Sequence, residues 1–227
     1  MSRTIKQQIG QFVSVFALFA LALFLPAGTL AWPAAWLFLL LFFGFYSTIT
    51  VWLARHNPAL LQERLRLRTS DQQGWDKVLF PLLLLYSLAW LSFLSYDTMR
   101  AQWSPIPTWL QIVGAVILLS AFVLLFLTFR ENTYLASVVR IQEERRHHVV
   151  TTGPYHYVRH PMYSAIVVFV VGTSLLLGSW YGILVGAVYV VLLAWRAILE
   201  ERILQAQLPG YASYMVEVKY RLIPYLW

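Results

Sequence analysis

Charged and hydrogen-bonding side chains stand directly beside long apolar segments in the last third of this chain. One apolar run is preceded by residues 153–163, which read GPYHYVRHPMY, and the next run ends at Glu200 and Glu201. An ionised group near lipid is costly unless it is paired or reaches water, and membrane proteins keep such groups mainly for a ligand. These residues are therefore the first candidates for chemistry.

His160 is predicted to lie next to the start of a helix. Pro161 suits the first helical turn, where its missing N–H is no loss, and it pushes the preceding residue toward extended geometry. The free N–H groups of such a terminus favour a carboxylate or a phosphate. A purely structural histidine at the membrane interface is the alternative interpretation.

The segment upstream of His160 is expected to be extended. Such a segment can pair its backbone edges with a flat heterocycle before a Gly-Pro turn. Its candidate binding residues are His147, Val149, Val150, Thr152, Gly153 and Tyr155. Adjacent His147 and His148 also suggest a metal, but their side chains diverge in an extended strand and no regular third ligand follows. We therefore predict no metal site.

Two acidic residues and two arginines could bind the charged ends of a ligand. Glu200 and Glu201 lie at a helix C-terminus, where negative charge is unfavourable, and they are candidates for gripping an ammonium group. Ion pairs with Arg196 and Arg202 are the simpler explanation. Arg221 can bind a carboxylate or a phosphate with two parallel hydrogen bonds, or it anchors the tail to lipid headgroups.

The composition is that of an integral membrane protein. Of 227 residues, 59% are hydrophobic and only 12% are charged, which is far more apolar than a soluble domain. Each of six apolar runs approaches the roughly 20 residues that a spanning helix needs. They lie at 12–31, 33–54, 78–96, 108–129, 162–178 and 180–199. We predict an all-α, multi-pass protein with about six transmembrane helices.

The distribution of positive charge predicts the topology. Lys and Arg gather before the first run, between the second and third, between the fourth and fifth, and after the sixth, whereas Arg100 alone falls on the other side. Cytoplasmic loops carry this excess, so both termini are expected in the cytoplasm, and the membrane of a bacterial protein would be the inner one. We interpret the net charge of +7 as a topology and lipid-headgroup signal, without a nucleic-acid motif.

The character of the chain changes near Arg130. Residues 1–129 are predicted to form a scaffold of four spans with a basic surface helix at 55–77. Residues 130–227 are predicted to form the catalytic region, with a connector, a helical hairpin and a polar tail. Because Gly178-Ser179 turns the hairpin back to its original face, we expect His160 to lie beside Glu200 and Glu201. With no cysteine, disulfides, thiolate ligands and a cysteine nucleophile are excluded.

The last ninety residues resemble the isoprenylcysteine carboxyl methyltransferase family and its relatives among membrane phospholipid and thiol methyltransferases. The matching residues are Val149-Val150-Thr151, Gly153, Tyr155, Arg159-His160-Pro161, Tyr163, Glu200-Glu201, Leu204, Pro209-Gly210-Tyr211, Tyr214, Arg221 and Pro224. The resemblance implies a cytoplasmic pocket for S-adenosylmethionine. Its adenosine would lie along 149–155, and its amino-acid end near His160, Pro161, Tyr163 and Glu200 or Glu201. Arg196, Glu200 and Arg221 would be the catalytic residues, with Arg196 or Arg221 orienting the acceptor.

The acceptor implied by the resemblance is a small or lipophilic anion that enters from the bilayer, such as the carboxylate of an isoprenylcysteine. An ionised carboxylate needs alignment and exclusion of water but no general base. A thiol or amine acceptor would use His160 or a glutamate to lose its proton. A sterol-reductase-like enzyme using NADPH, with Arg140, Arg145 and Arg146 at the 2′-phosphate, is a second hypothesis. A small transporter is a third, and the oligomeric state stays open.

Overall fold

The fold is a bundle of long helices joined by one irregular connector. The computed structural model describes the backbone of residues 3–227 and the side chains of residues 9–227. The helices are α1 (Arg3–Ala27), α2 (Pro33–His56), α3 (Pro58–Leu65), α4 (Asp76–Tyr96), α5 (Thr108–Glu131), α6 (Pro161–Leu177), α7 (Trp180–Gln207) and α8 (Tyr211–Glu217). The N-terminal charges used in the topology prediction lie outside the described side chains.

Five of these helices are long and apolar enough to cross a bilayer, namely α1 from residue 9 onward, α2, α4 with the π-helical turn Asp97–Ala101, α5 and α7. The sixth predicted span is α6, an apolar helix of only 17 residues. The all-α, multi-pass prediction is confirmed. The first run ends at Ala27, four residues earlier than predicted, because Gly28 has a φ of +70° and packs against the Arg100 guanidinium. The sides on which the termini lie remain predictions.

The predicted surface helix at 55–77 was too long. Within this range Pro58–Leu65 forms a separate helix, residues 55–56 end α2, residues 76–77 begin α4, and the chain from Arg66 to Trp75 is irregular. Arg64 Nη1 donates to the Leu135 carbonyl at 3.0 Å, and Asn57 Nδ2 donates to Thr133 Oγ1 at 2.7 Å. This segment therefore supports the connector between α5 and α6.

Helix α5 lies unusually close to α6. A Cβ added at Gly172 would come within 2.6 Å of the Leu118 backbone nitrogen, and one at Gly114 would meet the backbone of Leu176. Two glycines on facing helices allow the backbones to approach this closely. The predicted boundary near residue 130 therefore falls between two helices, α5 and α6, that pack tightly against each other. The division into scaffold and catalytic region stays a prediction.

The predicted hairpin between α6 and α7 is confirmed. Gly178 has a φ of +95° and ends α6, and the Ser179 side chain accepts from the Gly182 N–H to begin α7. Asp97, which is fully buried, accepts hydrogen bonds from the hydroxyls of Ser179 and Ser104. This carboxylate fixes the hairpin turn to the end of α4.

Candidate functional site

The site forms where the hairpin returns to its starting face. His160 Nε2 lies 3.2 Å from Glu201 Oε1, and the Tyr163 hydroxyl donates to Glu200 Oε2 at 2.8 Å. The expected convergence of the beginning of α6 with the end of α7 is thus confirmed. The tail joins them, because the backbone N–H groups of Arg159 and His160 donate to the carbonyls of Tyr220 and Arg221.

A cavity of about 70 Å³ opens at this point. Its walls come from the connector, from the start of α6, from the end of α7 and from α8. The lining residues are Leu135, His147, His148, Val149, Val150, Tyr155, Arg159, His160, Met162, Tyr163, Glu200, Leu204, Leu208, Tyr211 and Tyr214. We call it the first cavity.

Glu201 is fully engaged by cations of the protein. Arg159 Nε donates to Glu201 Oε1 at 2.6 Å, and Arg221 Nε donates to Oε2 at 2.8 Å. Glu201 is 3% exposed and does not border the first cavity. Its carboxylate therefore joins α7, the start of α6 and the tail, and is not available to a ligand.

Glu200, in contrast to Glu201, is not fully engaged by other groups of the protein. It is half-buried, and its Oε2 accepts from Tyr163, whereas no residue among the described side chains donates to its Oε1. It borders the first cavity and also a second one of about 50 Å³. Of the two glutamates, Glu200 is the one that can bind a ligand.

The second cavity adjoins the first at Tyr163, Glu200, His147 and Met162. Its remaining walls combine apolar side chains with Arg140 and Arg196. The residues that border this cavity alone are Tyr134, Ala136, Val138, Val139, Arg140, Ile141, Arg196 and Ile203. The two cavities therefore share Glu200 as a wall residue.

Arg196 is buried beside this junction. Its Nε donates to Asp76 Oδ1 at 2.9 Å, one terminal nitrogen donates to the Tyr163 hydroxyl at 3.0 Å, and the other donates to the Ser137 carbonyl at 3.0 Å. Since a guanidinium has five N–H groups, two remain after these bonds. Arg196 can therefore hold the site together and still offer donors to the second cavity.

The connector is held over both cavities by Arg140. Its guanidinium is 5% exposed and pairs with Glu63, Asp71 and Glu144. These bonds raise the pKa of Arg140 and lower the pKa values of Asp71 and Glu144. Arg140 Nε is buried and has no partner among the described residues. Glu63 and Asp71 thus tie the connector to α3 and to the segment before α4, whereas Glu144 lies in the connector itself.

His147 stacks on the Tyr134 ring, with centroids 4.4 Å apart. Burial, followed by the neighbouring positive charges, lowers the pKa of His147 to about 4. The imidazole is therefore neutral near pH 7, where it presents an uncharged aromatic face to both cavities.

Three tyrosines form the floor of the first cavity. The Tyr214 hydroxyl donates to the Tyr155 carbonyl at 2.6 Å, and Asn132 Nδ2 donates to the Tyr155 hydroxyl at 2.7 Å. Burial raises the pKa of each of Tyr155, Tyr211 and Tyr214. The Tyr211 hydroxyl is buried and has no partner among the described residues, so a polar group in the cavity can satisfy it.

Most of the predicted cofactor-binding residues border the first cavity: His147, Val149, Val150, Tyr155, His160, Tyr163 and Glu200. Four do not: Thr152, Gly153, Pro161 and Glu201. Thr152 Oγ1 donates to Glu131 Oε2 at 2.8 Å, and Gly153, with a φ of +58°, packs against the same side chain. These two residues fasten the connector to α5.

Some of the predicted catalytic residues border a cavity and one does not. Arg196 and Glu200 border the second cavity, whereas Arg221 borders neither cavity and lies on Glu201 and the Trp227 ring. The prediction from sequence missed Asp76, which contacts Arg196 across 120 residues, and it did not include Met162, Tyr211 or Tyr214 as binding residues. The two tyrosines belong to the quoted tail pattern and could have been found there.

Residues 109–209 match the family described as phospholipid methyltransferase. The resemblance to membrane methyltransferases is confirmed. The matched range contains almost all of α5, the whole connector, α6 and α7, which are the elements that form most of both cavities. It leaves out Asp76, α8 and the tail with Arg221. No curated protein matches the chain.

The first cavity offers groups that fit S-adenosylmethionine, a methyl donor. The cofactor's amino-acid end carries an ammonium and a carboxylate. The open Oε1 of Glu200 suits the ammonium, and the Met162 N–H, which has no partner among the described residues, is the donor left at the start of α6 for the carboxylate. The buried Tyr211 hydroxyl is a further unsatisfied partner. The polar groups that border the first cavity therefore match a ligand such as S-adenosylmethionine, which has a zwitterionic end and an aromatic half.

Proposed function

We propose that the protein is an S-adenosylmethionine-dependent membrane methyltransferase that methylates a carboxylate of an isoprenylcysteine-like or other lipophilic acceptor. The observation that carries the proposal is the placement of Glu200. Its carboxylate is the acidic group left open by the surrounding ion pairs, and it lies where two adjoining cavities meet. A methyl donor and an acceptor need this arrangement of two compartments with one boundary.

The first cavity would hold the cofactor with its adenosine along residues 149–155. Glu200 would bind the ammonium, and the start of α6 beside His160 would bind the carboxylate. When bound, S-adenosylmethionine supplies an electrophilic methyl group on a positive sulfur. The rings of Tyr163 and His160 are stacked 5.4 Å apart, and aromatic faces of this kind stabilise a nearby cation.

The second cavity would hold the acceptor. Its apolar side chains suit a lipophilic chain, and the remaining N–H groups of Arg196 suit an anionic head. The protein's part in transfer to a carboxylate is to orient the nucleophile and to exclude water. It need not remove a proton.

Methylation of an amine headgroup is a second candidate, which the Glu200 carboxylate at the second cavity and the description of the matching family favour. An ammonium acceptor would pair with Glu200 and would have to lose a proton before transfer. The two acceptors place opposite charges in the same cavity, so they can be separated by experiment.

The reductase hypothesis receives less support from the site. It used Arg140, Arg145 and Arg146 to bind a 2′-phosphate. Arg140 is surrounded by three carboxylates, and Arg145 donates to Gln142 Oε1 and to Thr133 Oγ1. Of the three arginines, only Arg146 is exposed and without a carboxylate partner among the described residues.

Binding of S-adenosylhomocysteine to the detergent-purified protein tests the proposal. Tryptophan quenching suits this titration, since the chain has ten tryptophans. We expect saturable binding to the wild type and at least about a tenfold weaker affinity for Glu200→Gln, because the charge on the open oxygen is lost. Saturable binding of NADPH with no response to S-adenosylhomocysteine would refute the proposal.

The acceptor is tested with methyl-labelled cofactor and two substrates, a soluble farnesylcysteine analogue and vesicles of phosphatidylethanolamine. A methyl ester releases labelled methanol in base, whereas an N-methyl product does not. Base-labile label on the farnesylcysteine analogue would support the carboxylate acceptor. Base-stable label in lipid would establish the amine acceptor instead.

A further inference from the structure

Asp76 is a fully buried carboxylate in the first turn of α4, far in sequence from the site and outside the range that matches the methyltransferase family. Its Oδ1 accepts from Arg196 Nε, and its Oδ2 accepts from Gln72 Nε2 and from the Val139 N–H, each at 2.9 Å. A buried carboxylate with this many donors has one well-defined orientation. It can therefore fix the orientation of Arg196.

Two hydrogen bonds link Arg196 through the Tyr163 hydroxyl to Glu200, and their donor-to-acceptor direction is fixed. A guanidinium only donates, so the Tyr163 hydroxyl must accept from Arg196 and can use its single hydrogen only toward Glu200 Oε2. This leaves Oε1 of Glu200 directed to the ligand. The orientation of each side chain in this series of hydrogen bonds is set by the side chain before it, and the series begins at Asp76.

We propose that Asp76 is a positioning residue that acts through Arg196 and Tyr163 to orient Glu200 toward the ammonium group of the bound cofactor. The inference rests on the proposed function, because it assigns the cofactor's ammonium to Glu200. Asp76 itself borders neither cavity. Its effect on the ligand is therefore indirect and confined to the part of the ligand that Glu200 touches.

Because the effect is confined to one part of the ligand, two ligands that differ in that part can test it. S-adenosylhomocysteine has the amino-acid end, and 5′-methylthioadenosine lacks it but keeps the adenosine and the sulfur. A loss of Glu200 orientation weakens binding of the first ligand alone. A general loss of structure weakens binding of both. The ratio of the two dissociation constants is thus a readout that a merely structural role does not move.

The variant is Asp76→Asn, measured by fluorescence titration in detergent with both ligands. We expect affinity for S-adenosylhomocysteine to fall about tenfold or more, and affinity for 5′-methylthioadenosine to stay within about twofold, because only the first ligand depends on the coupled network. The double variant with Tyr163→Phe should lose little more than Tyr163→Phe alone. Equal weakening of both ligands, unchanged affinities, or additive losses in the double variant would overturn the inference.

Asp97→Asn is the matched control. Asp97 is equally buried and holds two hydroxyl donors, but it lies at the opposite end of α4 beside the hairpin turn. We expect this variant to be less stable with an unchanged ratio of the two dissociation constants. A ratio that shifts as much as in Asp76→Asn would count against a specific role for Asp76.

Asp76→Glu is measured if Asp76→Asn does not fold, since it keeps the negative charge that Arg196 needs and displaces the carboxylate by one methylene. We expect the same selective loss, and a uniform loss would overturn the inference. Failure of the wild type to bind either ligand would instead refute the proposed function. The two failures therefore remain distinguishable.

Discussion

Exchange of Glu201 for Gln should destabilise the protein, whereas the same exchange at Glu200 should mainly abolish ligand binding. Both oxygens of Glu201 accept from cations, Oε1 from Arg159 and Oε2 from Arg221. In Glu201→Gln, the side-chain amide would direct its NH₂ group at one of these cations in either orientation. Whichever way the amide turns, one donor loses its partner, either the buried Arg159 Nε or the partly exposed Arg221 Nε.

The magnitude follows from burial. The side chains of Arg159 and Glu201 are each 4% exposed, and removal of one partner from a buried pair costs roughly 3–5 kcal/mol. Arg221 is 30% exposed, so its pair adds only about 0.2–1 kcal/mol. Because Gln keeps one accepting oxygen, we expect about 3 kcal/mol in total. At roughly 2–4 °C per kcal/mol for a chain of this size, Tm should fall by roughly 6–12 °C.

The assay is thermal unfolding of both variants in the same detergent without ligand. Glu200→Gln keeps an oxygen for the Tyr163 hydroxyl and loses no ion pair, so its Tm should change by less than about 4 °C, in line with about 1 kcal/mol for one altered hydrogen bond. A second measurement follows cleavage by trypsin after Lys219, which is exposed and lies in the tail that Arg159 holds. Cleavage should be faster in Glu201→Gln.

An unchanged Tm and an unchanged rate of cleavage in Glu201→Gln would refute this account of the site. The same would follow if Glu200→Gln proved the less stable variant. Either result would mean that the ion pairs around Glu201 contribute little and that the two glutamates cannot be assigned separate roles.

Three other predictions concern the packing, the pH response and the connector. Gly172→Ala should lower stability by about 1–3 kcal/mol in thermal unfolding, because its Cβ would overlap the backbone of Leu118, and Gly44→Ala, where the space is open, is the control. The pKa of His147 is lowered to about 4 in the folded protein, so the unfolded chain binds more protons below about pH 6.5 and stability should fall as the pH drops from about 6.5 toward 4. His147→Gln should show a smaller decrease in Tm between pH 7 and pH 5, and an identical decrease would contradict the assignment. Arg140→Gln should speed hydrogen exchange in residues 133–141, because the connector loses its three carboxylate partners; unchanged exchange there would show that other contacts hold it.

The sequence predicts the general form of this protein well because apolar runs and turn residues act locally. The Gly178-Ser179 turn alone is enough to bring His160 to Glu200 and Glu201, and the structure has His160 in contact with Glu201. A short turn between two spans leaves the chain few alternatives.

The roles of individual charges are harder to predict from sequence. Nothing in the pattern around Asp76 indicates a hydrogen bond to Arg196, since the pair depends on how two distant helices pack. Likewise, Glu200 and Glu201 are adjacent and identical in type, and only the rotation of α7 decides which one meets Arg159. The irregular chain from 66 to 75 escaped prediction for the same reason, because its conformation depends on tertiary ion pairs with Arg140.

The short length of α6 sets the depth of the site. At 1.5 Å per residue, its 17 residues extend about 26 Å, a few ångströms less than a hydrocarbon core of about 30 Å. From the same hairpin turn, α7 reaches Glu200 after about 30 Å and then continues for seven residues. With the hairpin turn at one face of such a core, the shorter helix begins just inside the opposite face, and the connector and both cavities lie at that level. Under the proposed function, a water-soluble donor and a membrane-dissolved acceptor meet there without either leaving its own phase, and bilayer thickness becomes a variable that governs their encounter.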